Sequence, residues 1–191
     1  EVPLIVPEVN PEAILKHKGI IANPNCSTII MLMALKPIYD LARIKRIIVS
    51  TYQAVSGAGK EGIDELTNQV GEYLDGKEMT ANILPSASAE KHYPIAFNLI
   101  PQIDVFCDNM YTKEEMKMVN ETRKILDDYD MRITATTIRV PVYRSHSESV
   151  NIELEKDVSL EEIKKALAAF PGVIVQDDPA AQLYPMPLYT S

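Results

Sequence analysis

Two rhythms of apolar residues alternate along this chain, and the places where one gives way to the other mark its elements. Gly19-Ile20-Ile21-Ala22 is a short apolar run that predicts a strand. After the turn at Asn23-Pro24-Asn25, the spacing of Ile29, Met33 and Leu35 predicts a helix, so Cys26 falls at a strand-to-helix junction. Ile44 to Val55 is rich in β-branched residues and predicts a second strand. Gly59 to Gly76 follows as a helix, with Ile63, Leu66, Val70 and Leu74 three and four apart. From Thr112 to Asp128 an amphipathic helix is predicted. It places Met116, Val119 and Leu126 on the apolar face and Glu114, Lys117, Glu121 and Lys124 on the opposite one. Met131 to Val140 and Ser147 to Glu155 read as strands. The second alternates Val150, Ile152 and Leu154 with Ser149, Asn151 and Glu153, and the short link Pro141 to His146 predicts that the two are neighbours. Leu160, Ile163, Leu167 and Phe170 form the stripe of a last helix that ends at Pro171-Gly172. Two Pro-rich ends, Pro3 to Pro11 and Pro179 to Pro187, read as irregular segments.

Composition narrows the classes of function. The 191 residues contain no repeat and are 46% apolar, enough for one domain with a substantial core. Net charge is −8 with acidic residues scattered over helix faces, which is no footprint for nucleic acid and favours a small-molecule partner. The longest apolar runs fall far short of a membrane span. Only Cys26 and Cys107 could pair, so no disulfide framework is expected and a reducing, cytosolic setting is. No strand leads into a G-x-G-x-x-G turn, which excludes a dinucleotide-binding Rossmann unit, and Gly57-Ala58-Gly59-Lys60 is too short for a phosphate loop.

A cysteine in the first turn of a helix sits where unpaired N–H groups and the helix dipole favour thiolate over thiol. Cys26 is in that position, although a small buried hydrophobe fits it equally well. The neighbours tip the balance: Asn23-Pro24-Asn25 shapes a tight turn and Ser27 and Thr28 add hydroxyls, which packing alone would not demand. Cys107, between Phe106 and Asp108, has no such setting and reads as inert.

Gly19-Ile20-Ile21-Ala22-Asn23-Pro24-Asn25-Cys26-Ser27-Thr28 resembles the active-site segment of the aspartate-semialdehyde dehydrogenases. Four further blocks are similar to that family's segments, in the family's order. They are Ser50-Thr51-Tyr52-Gln53-Ala54-Val55-Ser56-Gly57-Ala58-Gly59, Ile100-Pro101-Gln102-Ile103-Asp104, Tyr111-Thr112-Lys113-Glu114-Glu115-Met116-Lys117 and Arg139-Val140-Pro141-Val142-Tyr143-Arg144-Ser145-His146-Ser147-Glu148. The resemblance implies Cys26 as nucleophile, His146 as general acid/base and Gln53 as the group that orients the substrate. It further implies Glu114, Arg139 and Asn25 as substrate-binding residues and Lys117 as phosphate-binding. An amino-acid aldehyde independently asks for a carboxylate facing its ammonium, an Arg fork facing its α-carboxylate and a cation for phosphate. Without the resemblance, Glu114 and Lys117 would read as a solvated helix pair and His146 as a satisfied core histidine.

What the resemblance implies for the whole is an α+β catalytic and dimerisation domain over residues 1–191. Its fold is a mixed, largely antiparallel sheet covered by helices, like the catalytic domain of glyceraldehyde-3-phosphate dehydrogenase. The implied reaction is the NADP-dependent interconversion of L-aspartate 4-semialdehyde and L-4-aspartyl phosphate through a cysteine thioester, on the route to lysine, methionine and threonine. The family's glycine-rich nucleotide loop would lie before Glu1 and its return segment after Ser191, so this chain alone is expected to bind NADP hardly at all and to be inactive by itself. A homodimer is expected. The competing readings are an N-acetylglutamyl phosphate reductase-type enzyme, disfavoured because an acetylated amine offers no ammonium to Glu114, and a non-enzymatic dimerisation module.

Overall fold

The computed structural model describes residues 2–189. Three strands, β1 (Ile44–Gln53), β2 (Arg132–Arg139) and β3 (Ser147–Leu154), form one sheet in the order β2-β1-β3. Four helices accompany them: α1 (Cys26–Ala42), α2 (Gly59–Leu74), α3 (Lys113–Leu126) and α4 (Leu160–Ala169). Short 3-10 helices occupy Pro11–Lys16 and Val55–Ala58. This is the expected α+β class with a mixed sheet. The N–H of Val140 donates to the carbonyl of Gln53 where β1 and β2 end together, and the N–H of Glu155 donates to the carbonyl of Arg43 where β3 ends at the start of β1. One pairing is therefore parallel and the other antiparallel.

Two expectations are corrected here. β2 and β3 are not neighbours, since β1 lies between them. The link Pro141 to His146 crosses the end of β1, and its carbonyls at Val142 and Tyr143 accept the N–H groups of Val55 and Ser56. The strand expected at Gly19 to Ala22 shrinks to a single parallel bridge, Leu4 to Ala22.

The chain divides into two compact units: Glu1–Val49 with Lys117–Ala135 and Val150–Tyr184, and Ser50–Met116 with Thr136–Ser149 and Pro185–Ser191. The first is built on Met31, Leu35, Ile44, Ile47, Val49, Met118, Met131 and Ala135, with Val6, Val9, Leu32 and Ile125 as a satellite cluster. Within α3 the fully buried stripe is Met118, Val119, Thr122 and Ile125. The face anticipated from Met116, Val119 and Leu126 is thus rotated, and Met116 and Leu126 are only half-buried. α4 carries a capping box between Ser159 and Glu162, but Leu160 of its predicted stripe is exposed. A polar knot around the buried Asp128 closes this unit: the half-buried Tyr39 donates its hydroxyl to Asp128 Oδ2 at 2.8 Å and the exposed Arg43 guanidinium donates to the same oxygen at 3.0 Å. Burial, then the hydrogen bond to Asp128, pushes Tyr39 up to about 12. Burial would raise Asp128 as well, but the hydrogen bonds from Tyr39 and Arg43 together hold it below the usual carboxylate range.

The second unit packs Val55, Leu66, Leu84, Ile95, Ala96 and Ile100 against one another. The long loop that follows α2 has little ladder of its own and is fastened to that helix by Glu65, Gln69 and Glu72, the last accepting the N–H of Thr80 at 2.7 Å. Glu65 Oε2 accepts the N–H groups of Asn82 and Ile83, while Gln69 Oε1 accepts those of Ile95 and Ala96. Among the described residues no helix is long and apolar enough to cross a membrane.

Candidate active site

Four of the residues singled out from sequence come together in the second unit. Gln53 ends β1 and is almost wholly buried, and its Nε2 donates to Glu114 Oε1 at 3.2 Å. Glu114 is buried too, on the first turn of α3, so it is not half of a solvated pair, whereas Lys117 one turn on is exposed. Thr112 and Glu115 hold that first turn with a capping box: the Thr112 N–H donates to Glu115 Oε2 at 2.8 Å and the Glu115 N–H to Thr112 Oγ1 at 3.3 Å. Glu115 Oε1 also accepts the N–H of Thr137 at 3.1 Å, which ties the turn carrying Glu114 to β2. Arg139 ends β2, paired by backbone to Ile100 on both sides, and its buried guanidinium donates through Nη1 to the carbonyl of Ala54 at 2.7 Å. A Cβ at Gly57 would stand 2.8 Å from that Nη1 and 3.6 Å from Cε1 of His146, so only glycine lets this turn approach the guanidinium so closely.

His146 precedes β3 and follows Ser145, whose φ of 68° lies in the left-handed region that non-glycine residues seldom adopt. The N–H of Ala54 donates to His146 Nδ1 at 3.0 Å. Nδ1 is therefore an acceptor, and the neutral ring carries its proton on Nε2. Burial first, and then the Arg139 cation, lower the histidine pKa, opposed by the Glu114 carboxylate. The imidazole is thus held neutral between a cation and an anion. Two residues on, Glu148 has both carboxyl oxygens shielded from solvent and without a hydrogen-bond partner among the described residues. Burial alone pushes its pKa up to about 8.

Cys26, Asn25 and Lys117 belong to the first unit. Cys26 opens α1 and is exposed, which removes the reading of a buried hydrophobe; Ser27 and Thr28 beside it are wholly buried. Asn25 is the N-cap, with Oδ1 accepting the Thr28 N–H at 3.2 Å, and its own backbone N–H donates to Glu121 Oε2 at 2.7 Å. Cys107 is half-buried, with its N–H donating to the Tyr111 carbonyl at 2.7 Å, and both cysteines are unbridged. Sequence reasoning overlooked Glu115, Glu148 and Glu121. The T-x-x-E spacing of Thr112 and Glu115 was a readable signal for the first; the other two carry no local signature.

The family model for the semialdehyde dehydrogenase dimerisation domain matches residues 35–191. The chain belongs to the semialdehyde dehydrogenase family. It is 56% identical over 190 residues to aspartate-semialdehyde dehydrogenase of Aquifex aeolicus and 54% identical over 186 to that of Bacillus subtilis; these alignments cover 98% and 97% of this chain and 54% of each relative. Among solved structures, aspartate semialdehyde dehydrogenase II of Vibrio cholerae complexed with ASA superposes with a TM-score of 0.84 at 51% identity, covering 90% of this chain and 49% of that one. The Candida albicans enzyme with NADP gives 0.60 at 25% identity, covering 88% and 45%. The chain thus spans about half the length of the family members it matches.

Proposed function

We propose that this chain is the catalytic and dimerisation half of an aspartate-semialdehyde dehydrogenase, a phosphorylating oxidoreductase that works through a thioester on Cys26. The observation that carries the reading is the buried cluster of Gln53, Glu114, Arg139 and His146, which sets a carboxylate, a guanidinium and a neutral imidazole in one place. An amino acid, with its ammonium and carboxylate, is the complement of Glu114 and Arg139. Aspartate 4-semialdehyde has both groups; an acetylated amine would leave Glu114 without its cation.

In the oxidative direction the Cys26 thiolate attacks the aldehyde carbon and forms the C–S bond of a hemithioacetal. His146 would take the hemithioacetal's hydroxyl proton, and a bound nicotinamide cofactor would accept the hydride from the same carbon, which leaves the thioester. Phosphate, drawn by Lys117, then attacks the thioester carbonyl; the C–S bond breaks, and thiolate and aspartyl phosphate separate. Biosynthesis runs these steps in reverse. To accept the proton through Nε2, His146 has to release the Ala54 N–H from Nδ1 and move its own proton there. In the resting form its Nε2–H is a donor suited to polarising the aldehyde oxygen.

The nicotinamide cofactor does not fit the residues described here. Gly57 is packed against the Arg139 guanidinium, and among the described residues no strand leads into a G-x-G-x-x-G turn. When bound, NADP would supply and accept the hydride. Homodimerisation is supported by the family and by the outward positions Ile48 and Tyr52 of β1, half-buried and exposed respectively. Two unbridged cysteines suit the cytosol.

The test is the pH dependence of Cys26 alkylation, followed by mass spectrometry with Cys107 and the unfolded chain as references. A midpoint well below the roughly 8.5 of a free thiol, with protection by aspartate semialdehyde, supports the reading. An ordinary profile without protection would sink it.

A further inference from the structure

The turn that presents Cys26 is held from 96 residues away. Asn25 stands at φ −57° and ψ 140°, outside the helix it caps. Its backbone N–H donates to Glu121 Oε2 at 2.7 Å, shorter than the 3.2 Å cap from Thr28 N–H to Asn25 Oδ1 and the 3.1 Å bond from Asn23 Nδ2 to the Pro24 carbonyl. Pro24 has no N–H to add, and Pro24 itself is buried. One hold on the turn is thus a carboxylate on the third turn of α3, a charge-assisted bond to the very residue whose side chain caps the first turn of α1.

From this we infer that Glu121 is a positioning residue for the nucleophile. By fixing the Asn25 backbone it keeps Asn25 capped on Thr28 and keeps Cys26 in the first turn, where the helix N–H groups favour thiolate. The inference rests on the reading of Cys26 as nucleophile. Two effects of Glu121 oppose each other and can be separated. Its geometry supports the thiolate through the cap, whereas its negative charge near the same helix end disfavours it. If geometry prevails, removing the acceptor raises the Cys26 midpoint; if charge prevails, removing it lowers the midpoint.

The experiment compares wild-type, Glu121→Ala and Glu121→Gln chains by two readouts: the pH profile of Cys26 alkylation and the exchange rate of the Asn25 amide. Glutamine keeps an oxygen acceptor and drops the charge. The expected result is an Asn25 amide protected in wild type although it lies outside the helix, exchange at least tenfold faster in Glu121→Ala, and a Cys26 midpoint moved up by half a pH unit or more. Glu121→Gln should stay at or below the wild-type midpoint. The inference is overturned by an unprotected Asn25 amide in wild type, by a Glu121→Ala profile that is unchanged or shifted down, or by Glu121→Gln matching Glu121→Ala. The wild-type amide decides the matter even if Glu121→Ala does not fold. A wild-type Cys26 that alkylates like Cys107 would remove the nucleophile reading, while the Asn25 amide would still report whether Glu121 holds the turn.

Discussion

Replacing Glu148 by Gln should make the protein more stable, and increasingly so as pH rises. In the folded chain burial pushes this carboxyl from 4.5 to about 8, and among the described residues neither oxygen has a partner to offset the loss of water. The unfolded chain ionises it near the ordinary value. A folded-state pKa above the unfolded one means that the folded form keeps a proton the unfolded form has released. Stability is then complete below pH 4.5, falls as pH rises from there, and levels off above about 8. At about 1.36 kcal/mol for each unit, the whole span is on the order of 4–5 kcal/mol, and roughly 3 of it is already lost at pH 7. Glutamine has nearly the same shape and does not titrate, so the variant carries none of this slope. The assay is urea unfolding of both proteins at pH 5, 6, 7 and 8, compared as the difference between them. That difference should grow by more than 2 kcal/mol, on the order of half the calculated span, between the lowest and highest pH. Parallel stability curves would refute the reasoning, because they would mean that Glu148 ionises in the folded chain as it does in water.

Gly57→Ala should displace the Arg139 guanidinium, since the added carbon would lie 2.8 Å from Nη1. We expect a stability cost of about 1–3 kcal/mol and aspartate semialdehyde protection of Cys26 weakened by at least about tenfold, read by alkylation; unchanged protection would contradict it. Asp128→Asn should cost roughly 1–3 kcal/mol at pH 7, because it removes the charged acceptor shared by Tyr39 and Arg43. Asp128 is held below its usual 3.8, so its contribution is present above that value and fades as pH falls further; the deficit of the variant should shrink there, as measured by thermal melts. Nitrogen-15 spectra of histidine-labelled protein should show His146 mostly neutral at pH 6.5 with its proton on Nε2, and a cationic ring or an Nδ1–H form would count against the geometry.

Much of this was legible in the residues. Helix and strand spacing located α2, α3, β2 and β3 to within two residues at each end, because periodic apolar positions report which face a core will cover. Chain order of strands was not legible. A five- or six-residue link suits a hairpin, but it also suits a crossing over the end of a parallel strand when its carbonyls at Val142 and Tyr143 find donors there. The family resemblance implied an amino-acid ligand at the site, yet the burial of Glu114 was hidden. A charge on a helix next to Lys117 reads as solvated until Gln53 and the Thr112–Glu115 cap are seen beside it. Glu148 was hidden for the opposite reason: local pattern cannot say that a strand carboxyl will lack a partner.

The loop fastened by Glu65, Gln69 and Glu72 sets a rule for anyone who would edit this protein. Five of its amides end on three side chains of a neighbouring helix, Glu65, Gln69 and Glu72, and few end on a ladder of its own. Shape in that stretch is therefore borrowed, so its own residues can be exchanged more freely than the three helical acceptors on which it leans. A graft that carries the loop to another scaffold without its helix would transplant a sequence and leave the conformation behind.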